Sequence, residues 1–282
     1  MRTLICFSLL IVTAGASQDV VGRASALYQR TQYEDSLHLL AQDPAPDGDN
    51  YLLSGKNYFM LGDYKRATDF LEKAVASSPG NSDYELWLGR AFGRRAETSG
   101  WLTAGVHASK ARQCFEKAIA LDPHNREAKN DLFAFYLNAP GFLGGGIERA
   151  EAFAKSIANE RPAEYESEEA QIADRKKDYA AAEAHLRRAM ELAPDAPGRV
   201  LDLARYVAKR GRLAESDALF EQARKLAPSE PRVAFAKARV DIENHRNLEQ
   251  ARGLLQSYLH ASLTPDDPPR QEAEKLLRRA GG

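Results

Sequence analysis

Gly62-Asp63-Tyr64-Lys65-Arg66-Ala67-Thr68-Asp69-Phe70-Leu71-Glu72-Lys73-Ala74, closing at Pro79, is the stretch that decides the fold. Ala67, Phe70, Leu71 and Ala74 fall at the i, i+3, i+4, i+7 spacing of one helix face. A Gly-Asp-Tyr turn precedes that helix and a proline ends it. The pattern returns along the chain. Prolines closing such a helix stand at Pro79, Pro123, Pro162, Pro194 and Pro228, separated by 44, 39, 32 and 34 residues. Twelve residues before each is a small residue: Ala67, Ala111, Ala150, Ala182 and Ser216. Five residues before each is Ala74, Ala118, Ile157, Ala189 or Ala223. One helix of fixed length therefore recurs, and every insertion lies upstream of it. Small side chains at both places let a neighbouring helix approach closely.

The preceding helix of each unit supplies the rest. Tyr51-x3-Gly55-x2-Tyr58 leads into Gly62-Asp63-Tyr64, Leu88-Gly89-x2-Phe92 opens the next unit, and Leu203-Ala204-x2-Val207 precedes Gly211-Arg212-Leu213. On these residues the chain resembles the tetratricopeptide repeat, a helix-turn-helix unit of about 34 residues. The units fall at 17–47 (with Tyr33 as turn residue), 48–81, 82–125, 126–162, 163–196, 197–230 and 231–264, with a cap over 265–282 whose amphipathic part runs from Pro269 to Arg279. The likeness covers nearly all of the chain after residue 16 and is closest for 48–81 and 197–230. It implies an all-α fold, a right-handed α-solenoid of stacked pairs with a C-terminal capping helix and a groove lined by the first helices. Physical reasoning agrees that one pair cannot bury its apolar stripe alone, so the pairs must stack into one continuous core and one domain.

Two departures from the repeat length are informative. Unit 82–125 carries ten extra residues around Arg94–Ala104. If helical, they add roughly 15 Å shared between its two helices, with Ser99-Gly100 at the tip. The next excess falls at Ala139-Pro140-Gly141-Phe142-Leu143, running into Gly144-Gly145-Gly146. These insertions occupy equivalent places in adjacent units and are expected side by side along one edge. The combination resembles exported bacterial repeat proteins of no settled function.

The chain has 282 residues with formal charge −1, from 39 basic and 40 acidic residues. That balance argues against a nucleic-acid partner, which would call for a basic excess. Met1-Arg2, the apolar run Leu4–Val12 and the small residues Ala14-Gly15-Ala16 have the layout of a secretory signal peptide. The run is too short to span a bilayer, so residues 1–16 are expected to be cleaved, leaving an exported chain, periplasmic or secreted, with no membrane span. Retention as an anchor is the alternative. Cys6 leaves with that segment, and Cys114 remains as a single thiol expected to pack in the core.

Where the resemblance puts the inward-facing ninth residue stand Ser25, Lys56, Arg90, Ala134, Gln171, Arg205 and Arg239, with Arg94 and Lys209 a turn further on. Such a basic row suits carboxylates or an anionic polymer, or simply pairs with nearby acids. The carboxylate-clamp form of the family is not carried over, because Leu52 stands where a lysine would be needed. Trp101 and Phe142 are candidates at the projecting tips, either for partner contact or for packing on each other. Gly144-Gly145-Gly146 lacks the strand and the Lys-Ser/Thr of a phosphate loop. His38, His107, His124, His185, His245 and His260 show no metal-ligand spacing. Glu164, Glu166, Glu168 and Glu169 read as an acidic helix start that complements the dipole. No catalytic arrangement, cofactor or metal is expected. The reading is a non-enzymatic scaffold that binds another protein or peptide in the groove or at the extended edge near 94–104 and 139–146. The alternative is a binder of anionic envelope polysaccharide or peptidoglycan.

Overall fold

The computed structural model describes residues 19–281, so the N-terminal segment 1–16 and its expected cleavage lie outside the described residues. Every regular element among them is helical. Helix α1 covers 19–29. It is followed by α2 (Tyr33–Leu40), α3 (Gly48–Met60), α4 (Tyr64–Ser77), α5 (Ser82–Thr98), α6 (Trp101–Leu121) and α7 (Arg126–Asn138). A single 3-10 turn, Gly141–Leu143, leads to α8 (Ile147–Ile157), α9 (Pro162–Arg175) and α10 (Tyr179–Leu192). The chain closes with α11 (Pro197–Lys209), α12 (Leu213–Leu226), α13 (Pro231–Glu243), α14 (Leu248–His260) and α15 (Arg270–Ala280). Two compact units contain these elements, residues 1–146 and 147–282.

In the N-terminal unit α3 packs on α4 and α5 on α6, while α3, α5 and α7 touch in succession. In the C-terminal unit the pairs are α9 with α10, α11 with α12 and α13 with α14, and α11, α13 and α15 form the corresponding row. The fold is thus the all-α stack of helix pairs that the spacing predicts. α15 closes the C-terminal row on Ala273, Leu276 and Ala280, all buried.

Local chemistry sets each turn. In five of the turns between paired helices the chain passes through a left-handed residue, Thr31, Gly62, Lys177, Gly211 or His245, whereas the α5–α6 turn at Ser99 and Gly100 does not. Glycine enters that region without cost, whereas Thr31, Lys177 and His245 hold it under strain. Asp63 and Asp178 then cap α4 and α10, accepting from the amides of Arg66 and Ala181 at 3.0 and 3.1 Å. Pro79, Pro123, Pro194 and Pro228 each stand two residues past a helix end, where a proline blocks continuation. Pro162 differs from its expected place as a terminator: it opens α9, as Pro197 opens α11 and Pro231 opens α13.

The two small-residue registers are among the most deeply buried places of the described residues. Ala67, Ala111, Ala150, Ala182 and Ser216 are wholly inaccessible, as are Ala74, Ala118 and Ala223. Glycines answer them from the first helices. A Cβ on Gly55 would lie 2.5 Å from Leu71 Cγ, and one on Gly89 would lie 2.6 Å from Phe115 Cε1 and 3.1 Å from Cys114 Cβ. Gly89→Val is expected to lower unfolding stability by about 1–3 kcal/mol through overpacking, read from urea denaturation. A neutral result would mean that α5 and α6 can separate without loss.

Candidate functional site

The inner row of the N-terminal unit is built on α3 and α5. Lys56 lies over two rings, with Nζ 4.6 Å from the Trp87 centroid and 5.3 Å from that of Tyr28. Arg90 donates from Nε to Asp131 at 2.6 Å, pairs with Glu127 at 2.9 Å and stacks on Trp87. Burial pushes the Asp131 carboxyl above its usual range, although Arg90 pulls it down. Arg94 sits over Tyr64, donates to its hydroxyl at 3.1 and 3.2 Å, and pairs with Glu97.

The C-terminal unit treats its basic residues the same way. Arg205 pairs with Asp202 at 2.5 Å, Lys209 with Asp174 at 3.4 Å, and Arg239 with Glu272 while lying over Phe235. Between α11, α13 and the segment before α15 lies a groove of about 450 Å³. Leu201, Phe235 and Ala236 line it, and five carboxylates face three guanidiniums there, a net charge of −2. Asp202, Glu230, Asp266, Asp267 and Glu272 supply the acids; Arg205, Arg232 and Arg239 supply the bases.

The insertions form a separate feature on the N-terminal unit. Helices α5 and α6 run 17 and 21 residues, against 13 and 14 for α3 and α4, so the pair projects with Ser99 and Gly100 at its tip. The 3-10 turn packs against the extension: a Cβ on Gly105 would meet Leu143 Cδ2 at 3.4 Å. The two insertions therefore lie together. Phe142 is not buried in this contact but is 87% exposed; on α6, Leu102 is 73% and Val106 57% exposed. Trp101 opens α6, and its side chain lies outside the described residues. Below the tip, His107 stacks on Phe92 with ring centroids 5.9 Å apart. Burial, then the charges of Arg95 and Lys110, hold its imidazole below its ordinary pKa.

Burial, followed by Glu85, pushes the Cys114 thiol up to about 12. Among the described residues no three His, Cys, Asp or Glu side chains are grouped to hold a metal.

Two family models of the tetratricopeptide repeat match, one over residues 48–81 and one over 175–240. Over these residues the chain carries tetratricopeptide repeats. A tetratricopeptide repeat protein from Parabacteroides merdae is 14% identical, with a TM-score of 0.56 over 95% of this chain and 100% of that one. A thermophilic tetratricopeptide-repeat protein of Thermus thermophilus is 20% identical, with a TM-score of 0.52 over 71% of this chain and 98% of that one. At such identity the likeness concerns the fold. No curated protein matches the sequence.

Within these repeats one group departs from the simple acidic helix start. On α9, Glu164 pairs with Arg161 and Arg199, and Glu166 lies 2.7 Å from His185 Nδ1 in a hydrogen bond. Glu168 instead is 1% exposed, and neither carboxylate oxygen has a hydrogen-bond partner among the described residues. The sequence carries a signal for this, since Glu168 stands one helical turn before buried Ile172 on the apolar stripe. Burial pushes its carboxyl up to about 8, helped by Glu164 and Glu169 and opposed by Arg161 and Arg199. The folded chain thus keeps a proton that the unfolded chain releases, so stability falls as pH rises from the ordinary carboxylate range through about 8. Glu168→Gln should remove that loss, stabilising the protein by up to about 3 kcal/mol near pH 8 and little near pH 5. A melting-temperature difference that did not change with pH would mean that Glu168 is ionised in the fold.

Proposed function

We propose that the chain is a non-enzymatic scaffold that holds a segment of a partner polypeptide in the groove of its C-terminal unit and works outside the cytoplasm. The groove carries the reading. Its apolar floor, Leu201, Phe235 and Ala236, is bordered by paired charges that leave an acidic excess. That surface suits an extended segment with apolar side chains between lysines or arginines. Tetratricopeptide repeats serve in general as protein-binding scaffolds, and both matching family models are repeat models. Export rests on the layout of residues 1–16. No helix among the described residues is long and apolar enough to cross a membrane.

An anionic envelope polysaccharide or peptidoglycan on the basic row has weaker support. Arg90, Arg205, Lys209 and Arg239 already hold carboxylates of the same chain. A polymer would have to displace those carboxylates before it gained any attraction.

Displayed random peptides selected on the protein should be enriched in Lys and Arg beside apolar residues. Asp202→Lys combined with Asp266→Lys should weaken a selected peptide by about tenfold or more while leaving the melting temperature unchanged. Equal affinity in that variant, or no selection at all, would rule the groove out as the binding surface. Sequencing the N-terminus of the protein recovered from cells should begin at Ser17. A start at Met1 would overturn the export half of the reading.

A further inference from the structure

We propose that the projecting edge of the N-terminal unit docks on an anionic lipid surface, with Leu102, Val106 and Phe142 entering the headgroup region and Arg95 and Lys110 facing lipid phosphates. This does not rest on the peptide-binding groove.

The apolar side chains belong to one patch. Gly105 faces Leu143, and Leu102 and Val106 flank Gly105 on α6 one turn apart. Phe142 immediately precedes Leu143, so the 3-10 turn sets it beside that face. Large apolar side chains at 57–87% exposure on a protruding tip gain nothing from the fold.

Charge complementarity selects the occupant. The two segments that build the edge, 94–115 and 132–147, hold four cations, Arg94, Arg95, Lys110 and Arg112, against one carboxylate, Glu97, which is paired with Arg94. The cations nearest the tip are Arg95, in the last turn of α5, and Lys110, two turns behind Leu102; both bear on His107 just below the tip. Arg112, further back, pairs with Glu116. The N-terminus of α6 has no side-chain cap and adds its positive end to the same place. A second copy of the chain fits poorly, because a two-fold contact through this patch would set the same cations against each other. A protein interface of this size would ordinarily carry a rim of both signs. A bilayer with anionic headgroups offers both an apolar layer for Leu102, Val106 and Phe142 and negative charge at the depth of the flanking cations.

The test is sedimentation of the full chain with phosphatidylcholine vesicles, with and without phosphatidylglycerol. Residues 1–16 are common to every variant, so differences between variants report the edge. Wild type should bind the phosphatidylglycerol vesicles and lose binding as salt rises. Leu102→Gln with Phe142→Ser should weaken that binding by about tenfold or more, since each lost apolar contact removes transfer energy. Arg95→Gln with Lys110→Gln should abolish the preference for phosphatidylglycerol. All variants should keep the wild-type circular dichroism and melting temperature. Equal sedimentation of wild type and the Leu102/Phe142 variant, or no binding to either vesicle, would overturn the proposal. So would a concentration-dependent dimer that the same variant abolishes, which would give the edge to a second copy.

Discussion

Close contact between the two helices of a pair is the constraint on which the rest depends. At Gly55 and Gly89 the space for a Cβ is already taken by Leu71 and Phe115. On the partner helices, the alanines at two fixed positions have almost no accessible surface. A larger residue at any of these places would push the helices apart, and the apolar stripes of successive pairs would no longer meet. The fixed length of the second helix follows from the same contact. Both small positions lie on it, seven residues apart, and a change in its length would move one of them off the crossing face.

That constraint makes the fold legible in the amino-acid sequence. Alanine and serine at constant distance from a proline mark the buried crossing in nine of ten places, because close packing there favours a small side chain; Ile157 is the exception. The lengthened pair is legible for the same reason, since added residues can only extend α5 and α6 beyond the contact. The state of the basic row is not. Arg90 finds Asp131 at a separation of 41 residues, Lys209 finds Asp174 at 35 and Arg239 finds Glu272 at 33. Each partner lies about one repeat away, on the neighbouring element of the stack. Reading the position of each base without the acids one period distant makes a neutralised face look cationic. Glu168 is hidden for a different reason. Its neighbours Glu164, Glu166 and Glu169 are only partly buried, and only the helical period separates the buried member from them.

Pairing between repeats has a functional consequence. Arg90 with Asp131 and Arg239 with Glu272 tie consecutive first helices together, so these guanidiniums act as struts and not as free binding groups. The aromatic rings beneath them, Trp87 and Phe235, hold each cation in place from the other side. What the groove then offers a ligand is the remainder after pairing: an apolar floor and an acidic excess in the C-terminal unit. Recognition there depends on which charges stay uncompensated, a quantity that composition does not report.

The projecting edge follows the opposite logic. A repeat protein lengthens a helix pair at little cost, because the new turns lie beyond the stacked core and need only cover each other. Gly105 against Leu143 accomplishes that covering. Stability asks for nothing more, and polar residues at 102, 106 and 142 would serve it equally while keeping the tip solvated. Leucine, valine and phenylalanine at those positions, in segments whose one carboxylate, Glu97, is already paired with Arg94, therefore point to a requirement outside the fold: a surface that is apolar inside and negative at its border.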